Sequence, residues 1–235
     1  MGHTNSRGSM RWIKQGLLFS PLLHRDWAVS HAAVPIAEPL GGDRWRVFFS
    51  ARDTQNRSSV GCFEMDIHTP ERLLSVTEHP LISPGSPGTF VEAGAMGAWS
   101  VTVGSCTYLY YVGWNVGGTV PFRNAVGVVL REHNAPVFSR LSSGPILDRS
   151  IHDPCFVASP CVLVENKVWR MWYTSGIAWT RVNGLLQPRY HIKYAESQEG
   201  IQWKRNGHVC IDFQDETETA ITRPCVVKDG NGYKM

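Results

Sequence analysis

The sequence predicts an all-β chain of repeated antiparallel sheets, and two observations carry that prediction. The first is alternation. Trp169, Met171 and Tyr173 interleave with Arg170, Trp172 and Thr174, and Tyr190, Ile192 and Tyr194 follow the same period before small Ala195, as pleated strands require. The second is recurrence. Three stretches, Trp45–Asp66, Tyr108–Leu130 and Val168–Ser197, each read as an aromatic strand, a long loop and a return strand. The steps between Trp45, Tyr108, Trp169 and Tyr233 are 63, 61 and 64 residues. A second marker, Pro35, Ala98, Pro160 and Pro224, steps by 63, 62 and 64. A third, Leu18-Phe19-Ser20-Pro21, Leu81-Ile82-Ser83-Pro84 and Ile146-Leu147-Asp148, keeps the same phase. A fixed period of this size in an all-strand chain means a propeller, a solenoid or an array.

Each unit then resolves into a four-stranded meander, the make-up of a propeller blade. In the first unit the strands are Ala32–Ala37, Trp45–Ala51, Val60–Met65 and Leu73–Val76, with Gly41-Gly42-Asp43 as the first hairpin turn. Ala- and Val-rich segments such as 32–37 suit the innermost position, where neighbouring sheets crowd an axis. The second unit runs from Ala95 to Phe138 and turns at Gly104-Ser105. The third runs from Ala158 to about Trp203, turns at Glu165-Asn166-Lys167, and uses 196–204 as a tight turn into its fourth strand. A fourth opens at Arg223-Pro224-Cys225-Val226 and turns at Asp229–Gly232. Residues 1–10 read as a leader and 11–235 as the repeat domain, three full blades plus parts of others. About 3.7 units do not close a ring, so the expectation is a C-terminally truncated form of a longer protein.

Composition narrows the functional classes. The chain has 235 residues, 43% hydrophobic and 18% charged, with nine Trp, nine Phe and seven Tyr, enough for one core filled by aromatics between sheets. A net charge of +3, evenly spread, argues against a nucleic-acid or membrane-surface partner. No apolar run approaches the roughly 20 residues that span a bilayer. The start of the chain lacks the apolar core of a secretory signal, and the six cysteines lack paired-ligand spacing. The expectation is a cytoplasmic protein with reduced thiols and neither metal nor cofactor. His152 and His191 read as ordinary loop and strand histidines, and the glycine-rich run after Gly113 has no helix behind it to make a phosphate loop.

In a meander blade, the loop leading into the first strand and the loop joining strands two and three share one face. The lead-in loops carry His24-Arg25-Asp26-Trp27 with His31, then Glu92, then His152-Asp153, then Asp215, Glu216 and Glu218. The other set carries Arg52-Asp53, then Trp114-Asn115 with Arg123-Asn124, then Trp179 and Arg181. Acids beside aromatic and guanidinium groups suit a sugar site: carboxylates transfer protons, flat rings stack on sugar faces, and Arg holds anions.

The segments WAVSHAAVP, FFSARDTQNRSSVG, YLYYVGWNVGGTVPFRNAVG, PILDRSIHDPC, VWRMWYTSG, HIKYAESQEGIQW and AITRPCVV resemble the five-bladed propellers of the arabinanase, levansucrase and invertase-like superfamily. Within it they look most like a branch of glycosidase-like proteins linked to surface-glycan synthesis. The resemblance implies a glycoside hydrolase or related glycosyl-transferring enzyme working by carboxylate chemistry. Asp26 then matches the base or nucleophile, Asp153 or Glu92 the carboxylate that tunes its partner, and Glu218 or Glu92 the proton donor. Trp27, His31, Arg52, Asp53, Trp114, Asn115, Arg123, Trp179 and Arg223 are the expected substrate-holding set. One departure stands out: Ala158-Ser159-Pro160 occupies the place where the superfamily carries a Glu shortly before the Pro. The alternative is a non-catalytic propeller that binds a glycan or nucleotide sugar; a third is a protein-interaction scaffold with an apolar rim. Unpaired sheet edges also offer a route to a homodimer.

Overall fold

The computed structural model describes residues 13–14, 16–21, 25–133, 135 and 137–235. The predicted leader, residues 1–10, and His24 lie outside them. Among the described residues all regular structure is strand. The first sheet comprises β1 (Ser30–Gly41), β2 (Arg44–Arg52), β3 (Ser58–Asp66) and β4 (Leu73–Val76). The second holds β5 (Ala95–Val103), β6 (Cys106–Val116), β7 (Phe122–Glu132) and β8 (Ser139–Arg140). The third holds β9 (Phe156–Glu165), β10 (Val168–Val182), β11 (Leu185–Ser197) and β12 (Val209–Ile211). A hairpin of β13 (Val227–Asp229) and β14 (Gly232–Lys234) follows. Each four-stranded sheet is an antiparallel meander in sequence order. β1 packs against β5, and β5 against β9, so the first strands of the sheets lie innermost.

Alternation in the middle strands explains how the sheets stack. Along β6, Leu109 and Tyr111 enter a cluster with Ile36, Phe48 and Val60 of the first sheet. Tyr110, pointing to the other face, joins Val157, Trp169, Met171 and Tyr173 of the third. One strand therefore supplies two cores, and its residues are buried on both faces. Burying a side chain of this size contributes roughly 1.5–3 kcal/mol, so the aromatic middle strands hold the sheets together. Where the chain crosses from sheet to sheet, backbones come close. Gly94, at φ +120°, sits against Ser58 so tightly that a Cβ would lie 2.2 Å from the Ser58 carbonyl oxygen; only glycine fits.

Two sequence expectations change. The segment 168–197 is not two strands around a long loop. Val182 pairs with Leu185, and the connection is Asn183-Gly184 with φ of 50° and 81°, the two-residue hairpin turn that favours Asn-Gly. Trp179 and Arg181 consequently lie in the extended β10 rather than in a loop. The fourth strand of the third sheet also begins later than expected. Residues 197–202 form a turn capped by Ser197 Oγ, which accepts from the Gly200 amide at 2.9 Å, and the strand is 209–211.

Candidate functional site

The innermost segments enclose a cavity of about 400 Å³ on the axis, walled by β1, β5, β9 and residues 223–227. At one level the innermost strands depart from regular pairing. The register shifts between Ala33 and Ile36 in β1, between Gly97 and Trp99 in β5, and opposite Ala158–Cys161 in β9. Val34, Ser159 and Arg223 have φ of 49°, 46° and 56°, and each precedes a proline. Proline has no N–H for the ladder, so a bulge there is expected. A left-handed conformation in a β-branched residue such as Val34 is strain, costing about 1–3 kcal/mol. Such strain concentrates where a protein must aim groups at a ligand.

The lining of this cavity is apolar and hydroxylic: Ile36, Met96 and Trp99 give bulk, and Ser100 and Ser159 give hydroxyls. Among the described residues no carboxylate lines it, and its one charged residue is Arg223. The Arg223 guanidinium donates to the Pro35 carbonyl at 3.3 Å, across the channel to β1. It forms no ion pair among the described residues. The residue is exposed, and partial desolvation of the guanidinium draws its pKa below the ordinary arginine value.

The four candidate carboxylates do not gather around this cavity. Asp26 is exposed in the tight turn from Arg25 to Ala28 and makes no hydrogen bond to the described residues. Glu92 accepts from the Gly88 amide at 2.6 Å; that bond, then Asn115, holds its carboxyl below the usual range. Glu218 accepts from the Gln214 amide at 2.8 Å and so braces its own loop. Asp153 is fully buried. It accepts from Ser175 Oγ and Arg205 Nη1, each at 2.7 Å, from Ser150 Oγ at 2.9 Å and from the Tyr173 hydroxyl at 3.2 Å. Lys193 Nζ lies 3.7 Å away and donates to the His152 carbonyl. Burial and the neighbouring Asp153 charge push the Tyr173 phenol well above its ordinary pKa. With every lone pair engaged, Asp153 fastens the lead-in loop of the third sheet to its middle strands.

The expected substrate-holding residues divide into small groups. Arg52 bonds Asn56 Oδ1 at 2.6 Å and lies over the Trp114 ring, 5.4 Å from its centroid, while Trp114 Nε1 donates to Ser58 Oγ. Asn115 donates to the Thr89 carbonyl and, with Arg123, Asp148 and Arg149, lines a second pocket of about 480 Å³. His31 is exposed at φ 66°, its Nδ1 2.9 Å from Ser30 Oγ. Asp53 is spent on its own loop, accepting the Gln55 and Arg57 amides and pairing with the Arg57 guanidinium. Trp27 stacks on Phe49 and donates to the Glu78 carbonyl, placing it between loop and core. Trp179 meets Phe122 edge-on at 5.0 Å and Phe156 at 5.9 Å. Of all these, only Arg223 reaches the axial cavity.

Sequence reasoning notes Ser159 only as part of a departure from the superfamily pattern, and it passes over Val34 and Ser100 on the axis and Arg205, Lys193 and Tyr173 around Asp153. The in-phase Xaa-Pro pairs are the available signal for the first group; nothing local marks the second. His191 is more than the ordinary strand histidine that the sequence suggests. It is buried, with Nδ1 2.9 Å from Asp212 Oδ1 and its ring stacked on Phe213, so it ties the loop after β12 to the third sheet.

The arrangement matches solved glycosidase propellers. A solved BT0996 RGII complex superposes with a TM-score of 0.68 at 12% identity, over 90% of this chain and 66% of that one. A thermostable family-43 glycoside hydrolase gives 0.59 at 14%, over 86% and 62%. A structure from work on GH130 mannoside phosphorylases and glycoside hydrolases acting on β-1,2 mannosidic linkages gives 0.58 at 12%, over 82% and 57%. The chain thus spans about two thirds or less of these structures, and it has the fold of glycosidase-like β-propellers. No protein-family model matches it. It is 38% identical over 226 residues to the uncharacterized protein MT1551 of Mycobacterium tuberculosis (strain CDC 1551 / Oshkosh), covering 96% of this chain and 75% of that protein. The uncharacterized protein Rv1502 of strain ATCC 25618 / H37Rv matches at 37% over the same extent. The chain belongs to the family of these mycobacterial proteins.

Proposed function

We propose that this protein is a glycosidase-like enzyme that holds a glycosyl unit in the axial funnel and cleaves or transfers it, within the branch linked to surface-glycan synthesis that the sequence resembles. The propeller is taken as the five-bladed type. The observation that carries the reading is the cavity itself: a space of about 400 Å³ on the axis of a glycosidase-type fold, with aromatic and aliphatic walls, hydroxyls and strained backbone. That is the composition of a small-molecule site. Among the candidate acids, Glu92 and Glu218 brace their own loops and Asp153 is locked in its network. Asp26, which makes no hydrogen bond to the described residues, is the carboxylate left for the role of base or nucleophile, at the lead-in of the first sheet.

A second reading has a specific observation in its favour. Because no carboxylate among the described residues lines the cavity, the chain also suits a propeller that binds a glycan without cleaving it. One experiment separates the two: calorimetry and product analysis on a panel of aryl and natural glycosides, with wild type and Asp26→Ala. Turnover that falls by about 100-fold or more in the variant supports proton transfer by Asp26. Full turnover in Asp26→Ala removes it from the mechanism, and binding without turnover in wild type selects the second reading.

A further inference from the structure

The cavity combines features that a neutral sugar does not satisfy. Its walls carry hydroxyls for sugar O–H groups and an indole, Trp99, for a ring face, yet among the described residues its one charge is a cation. A guanidinium has five N–H donors in a fixed fork, and the hydrogen bond seen from Arg223 goes to Pro35 O at 3.3 Å. The arginines packed into the sheets behave differently: Arg46 lies 2.9 Å from both Glu38 and Glu64, and Arg205 lies 2.7 Å from Asp153. Arg223 is moreover held by strained backbone, at φ 56° just before Pro224. Its side chain crosses the channel toward β1.

We infer that the axial site takes an anionic saccharide, a sugar bearing a carboxylate or a phosphate, and that Arg223 is the residue that reads the charge. The inference rests on the saccharide reading of the cavity given above and adds the class of sugar. Arg223 is exposed at the cavity; a neutral ligand seated there would strip water from the guanidinium without giving it a counter-charge, whereas a carboxylate or phosphate can bond it in a fork. Ser159 is left for a ring hydroxyl, and Trp99 for a hydrophobic face.

The test is calorimetric titration of the purified chain with methyl β-D-glucuronide, glucose 1-phosphate, neutral methyl β-D-glucoside and inorganic phosphate, at low and high salt. Wild type, Arg223→Lys and Arg223→Ala are compared after thermal unfolding shows that the variants fold. One of the two anionic sugars should bind at least about tenfold tighter than the neutral glucoside, an advantage weakened by salt. Which of them wins separates a uronate from a sugar phosphate. Arg223→Ala should bring the preferred anion down to the affinity of the neutral sugar, and Arg223→Lys should keep part of the preference. Equal binding of neutral and anionic sugars, or a preference that survives in Arg223→Ala, overturns the inference while leaving the saccharide reading in place. Binding of inorganic phosphate with no saccharide bound overturns the saccharide reading, and the inference with it.

Discussion

Two arginines, Arg46 and Arg223, show how one side chain serves opposite purposes in this protein. Arg46 projects from β2 between Glu38 of β1 and Glu64 of β3, 2.9 Å from each, and Arg131 of the second sheet comes within 3.9 Å of Glu38. Hydrogen bonding to Glu64 and the Glu38 charge hold its pKa above the ordinary value despite burial. Ser100 adds a hydroxyl at 3.3 Å from Glu38. Arg223, exposed on the axis, donates to one carbonyl among the described residues, and its pKa is drawn down. The first arginine is part of the joint between two sheets. The second is a donor set awaiting its acceptor, on backbone that stores strain. Of these two arginines, the one paired with carboxylates belongs to the architecture, and the one without an ion pair among the described residues lies at the site.

The contrast can be broken at its strongest point first. Asp153→Asn keeps the shape of a buried side chain but strands Arg205 and Lys193, so it should cost about 3–5 kcal/mol, read as a fall in the urea midpoint. Glu38→Ala leaves Arg46 with Glu64 alone and Arg131 with less, and should cost about 2 kcal/mol. If either substitution proves neutral, saturation is not what stabilises these joints. Ser159→Gly should move the other way, gaining about 1 kcal/mol by relieving a left-handed residue; chemical denaturation showing a loss would mean that the bulge is not strained. Smallest is Arg223→Ala, expected within about 0.5 kcal/mol of wild type. A loss of several kcal/mol there would turn Arg223 into a second Arg46 and erase the distinction.

The strands are legible because their information is local. Trp45–Ala51 and Val60–Met65 follow from alternation and lie within β2 and β3, and Leu73–Val76 coincides with β4. The Asn183-Gly184 turn carries a strong hairpin signal of its own, yet the aromatic run around Trp179 reads as loop, since polar Thr180 and Arg181 break the apolar pattern. The site is less legible. Arg223 stands out in the sequence because Pro224 falls in phase with Pro35 and Pro160. Asp153 reads as an axial residue, but a short Asp-Pro segment does not reveal that Ser175, Lys193 and Arg205, up to 52 residues away, close over it. Glu92 and Glu218 stand out by their phase, which gives the loop a residue occupies but not the direction of its side chain.

By itself the sequence determined the period, the strand order and the inner position of the Xaa-Pro segments, because alternation and turn chemistry act over a few residues and the repeat copies them. The tertiary structure alone decided which charges were neutralised. Pairing depends on groups brought within a few ångströms from different sheets, and a sequence holds no record of those distances. That is why three acids in phase turn out to brace loops or to be buried in a network, while among the described residues the axial cavity keeps one charged group, the Arg223 guanidinium.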